Sequence, residues 1–98
     1  MENINRGEIY YVFPAETNGS EQYGGRPAIV VSNNYANKYS PVIEVVYITT
    51  AIKKWIPTHV RIFSSRKMST ALCEAVYSID KSRVGMYCGK CSKWMLRL

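Results

Sequence analysis

The sequence predicts a small antiparallel β-barrel or β-sandwich, built as a single mainly β domain over residues 1–98. Several short β-prone runs follow one another in the 98-residue chain, and the loops between them are marked by glycine and proline. A chain of this length has room for one domain with a modest hydrophobic core. We find no internal repeat, linker or low-complexity tract that would divide it.

The first half of the chain supplies three predicted strands. Residues 8–13 are aromatic and β-branched and predict the first strand, which ends before a proline. Residues 15–25 are polar and rich in turn signals, which predicts a long loop. Residues 28–32 and 42–50 are strongly apolar and β-branched, as in buried strands, and residues 33–41 between them predict a polar loop.

The second half predicts further short strands. Residues 58–63 alternate polar and apolar side chains, as expected of a half-exposed strand. Residues 70–79 mix helix-favouring and strand-favouring residues, and we interpret them as a strand. The remaining predicted elements are a basic turn at 64–69, a turn at 80–83, a short strand at 84–88, and a helix from an N-cap at Ser92 to Leu98.

Composition narrows the function classes. Thirteen Lys and Arg against seven Asp and Glu give a net charge of +6 and a pI near 9.4, so the surface attracts polyanions such as RNA or DNA. The polar start of the chain does not resemble a signal peptide, and no apolar run approaches the ~20 residues that span a bilayer. Three cysteines, an odd number, do not suggest a secreted disulfide framework. We therefore expect a cytoplasmic protein without a membrane partner.

Metal and cofactor sites are not expected. Cys88 and Cys91 form a single CxxC motif, whereas structural zinc takes four ligands, and the other available ligands, Cys73 and His59, lie on distant predicted strands. A thioredoxin-type redox site would require a βαβ context that the strand-rich pattern lacks. A lone histidine on a strand is more often structural than catalytic.

The segment around Arg26 is the strongest candidate for a functional site. Two glycines permit unusual backbone angles before Arg26, and Pro27 restricts the backbone that leads into the apolar strand. An arginine held at a strand entrance is exposed and aimed, although most loop arginines are merely solvated. Together with the strand-end hydroxyls of Thr49 and Thr50, Arg26 suits a phosphodiester, because a guanidinium binds phosphate oxygens bidentately and a hydroxyl adds a directed hydrogen bond.

An ordered set of segments resembles the MazF/PemK family of toxin endoribonucleases over nearly the whole chain. None of these segments is diagnostic alone, but their order along the chain is specific. They are residues 6–10, 19–22, 25–32, 37–41, 48–49, 57–60, 69 and 79–84.

The resemblance implies an SH3-like antiparallel β-barrel with short helical additions and a metal-independent, sequence-specific endoribonuclease that cleaves single-stranded mRNA. Arg26 and Thr49 fall on the family's catalytic arginine and threonine. The resemblance further implies that the loop over residues 15–25 covers the RNA groove. Residues expected to bind RNA or support the site are Ser20, Glu21, Gln22, Thr50, His59 and Ser69.

The family resemblance also implies partners. These are a second copy of the chain in a homodimer and a cognate antitoxin whose acidic tail folds onto the basic groove, in a toxin–antitoxin complex that binds DNA. A rival interpretation from a different class is a non-catalytic SH3-like module that binds nucleic acid or protein, including a CcdB-like toxin that binds gyrase.

The implied reaction begins with attack of the ribose 2′-hydroxyl on the adjacent phosphorus. Arginine holds its proton at neutral pH and is a poor general base, so Arg26 is better suited to stabilising charge and to acting as an acid. Glu21 and His59 then stay open as candidates for the base.

Overall fold

The structure is a computed structural model that describes residues 3–14, 25–49, 59–64, 67–73 and 75–91. Strands dominate these residues, and every recorded strand pair is antiparallel, which confirms the predicted mainly β fold. No helix within these ranges is long and apolar enough to cross a membrane. The elements are β1 (Glu8–Val12), β2 (Arg26–Val30), α1 (Asn34–Tyr39), β3 (Val42–Thr49), β4 (His59–Ser64), β5 (Lys67–Leu72), β6 (Tyr77–Asp80), a 3₁₀ turn (Lys81–Arg83) and β7 (Val84–Lys90).

The strands form one antiparallel sheet that curls into a half-barrel. Across the described part of the chain the order is β4-β5-β3-β2-β1-β7, and β6 pairs with β3 beside this path. The 3₁₀ turn joins the two sides of the curl. Its Lys81 N–H donates to the carbonyl of Pro41 (2.9 Å), next to β3, and its Arg83 carbonyl accepts from the N–H of Phe13 (2.8 Å), next to β1.

The 3₁₀ turn is capped by a carboxylate. Asp80 accepts a hydrogen bond from the backbone N–H of Ser82 (2.8 Å), and this bond holds the pKa of the Asp80 carboxyl below its usual value. A carboxyl with a lowered pKa in the folded state stabilises the fold above its unfolded pKa. This contribution to stability is lost as the pH falls through the pKa that Asp80 has in the folded state.

Both faces of the central strands are buried, so the sheet has two hydrophobic cores. Successive side chains of a strand point to opposite faces, and β1, β2 and β3 therefore contribute alternate residues to each core. The first face carries Ile4, Tyr10, Val12, Ala28, Val30, Ile43, Val45 and Ile79. The second face carries Ile9, Ile29, Val46, Ile48, Ile62, Ala71 and Cys91.

Strand β2 begins earlier than predicted. Arg26 and Pro27 belong to the strand and pair with Val12 and Tyr11 of β1, so Arg26 is the first residue of the strand itself, whereas the prediction placed it before the strand. Val31, the residue after β2, donates its N–H to the carbonyl of Glu44 in β3. Backbone groups of a strand alternate in direction, so the odd-numbered residues of β2 also direct theirs toward β3. Proline is tolerated at position 27 because its missing N–H faces β3 where the recorded β2–β3 pairing has not yet begun.

Gly25 has a different role from the one predicted. In the ranges that the structure describes, the glycines with positive φ are Gly7 and Gly89, so Gly25 does not supply an unusual backbone angle. A Cβ atom at position 25 would instead overlap the ring of Tyr11. Glycine at this position therefore gives the Tyr11 ring room against the backbone that leads into β2.

A short helix replaces the predicted polar loop over residues 33–41. The side chain of Asn33 caps α1 by accepting a hydrogen bond from the N–H of Ala36 (2.8 Å). Asn37 is the buried residue of this helix, and its amide donates to the carbonyl of Ser32 (3.0 Å). The capping asparagine and the proline that follows the helix were the available sequence signals, and the high asparagine content obscured them.

In the second half of the chain the described elements are mostly strands, as predicted, but some of their boundaries differ from the prediction. The basic turn predicted for residues 64–69 is wrong for positions 67–69, because β4 and β5 form a hairpin in which Ser64 pairs with Lys67. The run over 70–79 contains two strands, and β7 extends two residues beyond its predicted end. The helix predicted from Ser92 and most of the loop over 15–25 lie outside the described residues.

The cap of α1 predicts a measurable effect on stability. Asn33→Ala should lower the free energy of unfolding by about 1 kcal/mol, because the N–H of Ala36 loses its acceptor. Asn33→Asp keeps an acceptor at the same position and serves as the matched control. Urea denaturation measures both variants, and an unchanged midpoint for Asn33→Ala at an unchanged slope would contradict this role of the cap.

Candidate functional site

Arg26 lies at the edge of the first face, where the hydrophobic core ends. It is half-buried and pairs with Val12 of β1, which is buried in the first core. Arg26 and Ala28 are two residues apart on β2, so their side chains share this face. The arginine therefore continues a line of core residues to the point where the strand begins.

Thr49 lies at the corresponding end of β3. The recorded pairs between β2 and β3 run from Val30↔Val45 to Ala28↔Tyr47, and two more residues in the same register align Arg26 with Thr49. This alignment belongs to the non-hydrogen-bonded class, because the odd-numbered residues of β2 make the hydrogen bonds to β3. Side chains of such pairs have their Cβ atoms about 4.5–5.5 Å apart. The recorded pairing stops at Ala28, and the alignment of Arg26 with Thr49 is its continuation by two residues.

Two more polar side chains extend this alignment onto the hairpin formed by β4 and β5. Thr49 pairs with Thr70 of β5, and Thr70 pairs with Arg61 of β4. Residues directly opposite each other share a face of the sheet, so we call Arg26, Thr49, Thr70 and Arg61 the polar row. Thr70 is buried, Arg26 and Thr49 are half-buried, and Arg61 is exposed. None of its four members is acidic, and its two arginines make it a positively charged strip.

Ser69 does not share this face. It is buried and pairs with Ile62, which is a member of the second core, so Ser69 points away from Arg26 and Thr49. Its neighbour Thr70 lies on the face that Arg26 and Thr49 share. Thr70 and Arg61 are the polar-row members missed by sequence reasoning, and finding them required the register of the β4–β5 hairpin.

Of the other predicted site residues, the structure describes His59. His59 begins β4 and its backbone pairs with Leu72, two residues along the hairpin from Arg61. Ser20, Glu21, Gln22 and Thr50 lie outside the described residues. Arg26 and Thr49 are therefore aligned by extending the recorded β2–β3 register, and the general base stays unassigned.

The cysteines occupy separate environments. Cys91 is buried in the second core, where its thiol donates to the carbonyl of Gly7 (3.6 Å), and burial raises the pKa of that thiol. Cys88 is exposed on β7, and Cys73 is half-buried beside the second core. A raised pKa opposes the thiolate form that metal binding and redox chemistry require.

The polar row has the chemical properties of a site for a phosphodiester. A guanidinium presents several N–H donors in a planar fork that matches two phosphate oxygens, and a hydroxyl beside it donates to a third. Partial burial among apolar residues strengthens such contacts. The arrangement can stabilise negative charge that develops on a phosphorus centre.

Comparisons with known proteins agree with this chemistry. A family model for "PemK-like, MazF-like toxin of type II toxin-antitoxin system" matches residues 5–97. Relatives named "Endoribonuclease MazF" from Staphylococcus epidermidis and from Staphylococcus saprophyticus subsp. saprophyticus are each 41% identical over 86 residues, which is 83% of this chain and 72% of each relative.

Solved structures share the fold. An endoribonuclease in complex with its cognate antitoxin, from Mycobacterial species, is 25% identical with a TM-score of 0.74, and the match covers 98% of this chain and 84% of that one. A MazF crystal structure from Deinococcus radiodurans is 21% identical with a TM-score of 0.79, and covers 98% of this chain and 88% of that one. These similarities confirm the predicted small β-barrel class.

Proposed function

The chain belongs to the family of PemK-like, MazF-like toxins of type II toxin–antitoxin systems, and we propose on that basis that it is an endoribonuclease that cleaves single-stranded RNA. The observation that supports the proposal is the register of β1, β2 and β3, which aligns Arg26 with Thr49 when the recorded β2–β3 pairs are extended by two residues. Cleavage of mRNA by this site would inhibit translation and growth.

The proposed reaction uses the RNA itself as the nucleophile. The ribose 2′-hydroxyl attacks the adjacent phosphorus, the bond to the 5′-oxygen breaks, and the products are a 2′,3′-cyclic phosphate and a 5′-hydroxyl. Arg26 holds two phosphate oxygens and stabilises the charge of the phosphorane, while the Thr49 hydroxyl donates to a non-bridging oxygen. An internal nucleophile needs no activated water. A base takes the 2′-hydroxyl proton, and Arg26, acting as the acid, gives a proton to the leaving 5′-oxygen.

The proposal includes a protein inhibitor. The solved relative at 25% identity is bound to its cognate antitoxin, and the net charge of +6 on this chain attracts an acidic polypeptide. We infer a cognate antitoxin whose acidic tail covers the RNA site, and a homodimeric toxin that acts in the cytoplasm, where mRNA is found.

Incubation of the purified protein with single-stranded RNA in excess chelator, followed by mapping of product ends, tests the proposed function. Cleavage under these conditions at defined positions supports a metal-independent endoribonuclease. RNA that binds but stays intact across many sequence contexts would favour the alternative, a non-catalytic binding module.

Replacing the arginine tests its place in the site. Arg26→Ala should lower the cleavage rate by ~10²–10³, the typical cost of losing a donor to a developing oxyanion. Arg26→Lys keeps the charge but not the planar fork, so it should recover activity only in part. Cleavage by a folded Arg26→Ala protein at the wild-type rate would place the active site elsewhere, and circular dichroism checks the fold.

The register also distinguishes two neighbouring hydroxyls. Thr49→Val keeps the side-chain shape and deletes the hydroxyl that is aligned with Arg26, so it should slow cleavage. Thr50→Val should have a smaller effect, and single-turnover rates compare the two variants under identical conditions. A larger loss for Thr50→Val would show that the catalytic hydroxyl is displaced by one residue.

The internal nucleophile makes a prediction about the substrate. RNA carrying a single 2′-deoxy nucleotide at the cleaved position should resist cleavage, since the attacking group is absent. The same substitution one position away provides the control, and gel mapping measures both. If the substituted position were cut as fast as unmodified RNA, the 2′-hydroxyl would not be the nucleophile.

A further inference from the structure

We propose that Arg61 is a second phosphate-binding residue, which holds the RNA at a nucleotide next to the cleaved one and positions the strand across β5 and β4. This inference rests on the proposed function, because it takes Arg26 and Thr49 as the place of cleavage. It adds a residue that neither the family resemblance nor the sequence pattern singled out.

Strand register places Arg61 in line with Thr49. Arg61 pairs with Thr70, and Thr70 pairs with Thr49, so three strands present these side chains in one line on one face. Neighbouring strands lie about 4.8 Å apart, which places Arg61 about 10 Å from Thr49 along the row. A guanidinium carried at that separation is placed to meet a neighbouring phosphate of the same RNA strand.

Burial confirms which way Arg61 points. The next residue, Ile62, is 1% exposed and belongs to the second core. Adjacent residues of a strand point to opposite faces, so the exposed side chain of Arg61 lies on the first face with Thr49. A polar side chain on this strand therefore faces the side on which Arg26 lies, and it is open to a ligand.

The chemistry of the row favours RNA as the ligand at Arg61. Single-stranded RNA presents one phosphate per nucleotide, and an arginine fork binds each phosphate through two parallel hydrogen bonds. The polar row has an arginine at each end, two threonines between them and no carboxylate among its members. A polyanion laid along it meets positive charge at both ends.

The test compares two substitutions that each remove one positive charge. Arg61→Gln removes the charge from the polar row, and Lys38→Gln removes one from α1, which precedes the far end of β3. That strand is about 24 Å long at ~3.4 Å per residue, so Lys38 is remote from Thr49. The probe is a single-stranded RNA with a 2′-deoxy nucleotide at the cleaved position, which binds without being cut.

The expected result concerns the salt dependence of binding. Arg61→Gln should weaken RNA binding several-fold at low salt and reduce the slope of log K against log salt by about 0.7, the value for one phosphate contact on a single strand. Lys38→Gln should leave the slope unchanged, and Arg61→Lys should restore most of it. Equal slopes for Arg61→Gln and Lys38→Gln would overturn the proposal.

Cleavage kinetics give a readout that a structural role would not produce. With full-length RNA, Arg61→Gln should raise KM and leave kcat nearly unchanged, because the contact is made equally in the ground and transition states. Shortening the RNA on one side of the cleaved bond should erase the difference between Arg61→Gln and wild type, and shortening it on the other side should not. A difference that survives both truncations would overturn the proposal, whereas absence of cleavage by the wild-type protein would overturn the proposed function instead.

Discussion

The register of β2 between β1 and β3 is the constraint on which the candidate site depends. Ala28, Ile29 and Val30 are at most 1% exposed, so both faces of this strand are packed. A slip of one residue would exchange the two faces, turning Arg26 toward the second core and removing it from the alignment with Thr49. Burial on both sides therefore fixes where the arginine points.

The register is secured at the end of β2 opposite Arg26. The carbonyl of Val30 accepts from the N–H of Gly7 (2.8 Å), and the N–H of Val31 donates to the carbonyl of Glu44 (2.9 Å). Beyond the strand, the Ser32 hydroxyl accepts from the N–H of Glu44 (3.1 Å) and donates to the buried amide oxygen of Asn37. Polar contacts from Ser32 and helix α1 thus fix β2 and β3 at the end opposite Arg26.

The strands could be predicted from the sequence because β-branched and aromatic runs fill a sheet packed on both sides. Arg26 and Thr49 could be predicted from family resemblance, and the recorded β2–β3 register aligns them when it is extended by two residues. Thr70 and Arg61 could not be found, since their place follows from the pairing of β5 with the distant β3 and from the exact register of the β4–β5 hairpin. The position of Ser69 on the second face shows the same limit, because a one-residue difference in a strand reverses the direction of a side chain.

The position of the polar row follows from the way the sheet changes partners. Strand β2 lies along one edge of β3, and along the other edge β3 pairs with β6 from Val42 to Val45 and with β5 at Ile48 and Thr49. The last residues of β3 therefore lie beyond the point where its partner on that edge has changed. Pro27 cannot donate a hydrogen bond at this point, and the recorded β2–β3 pairing ends there. The sheet can therefore carry polar side chains at this boundary without interrupting either core, and its two arginines lie at opposite ends of that boundary.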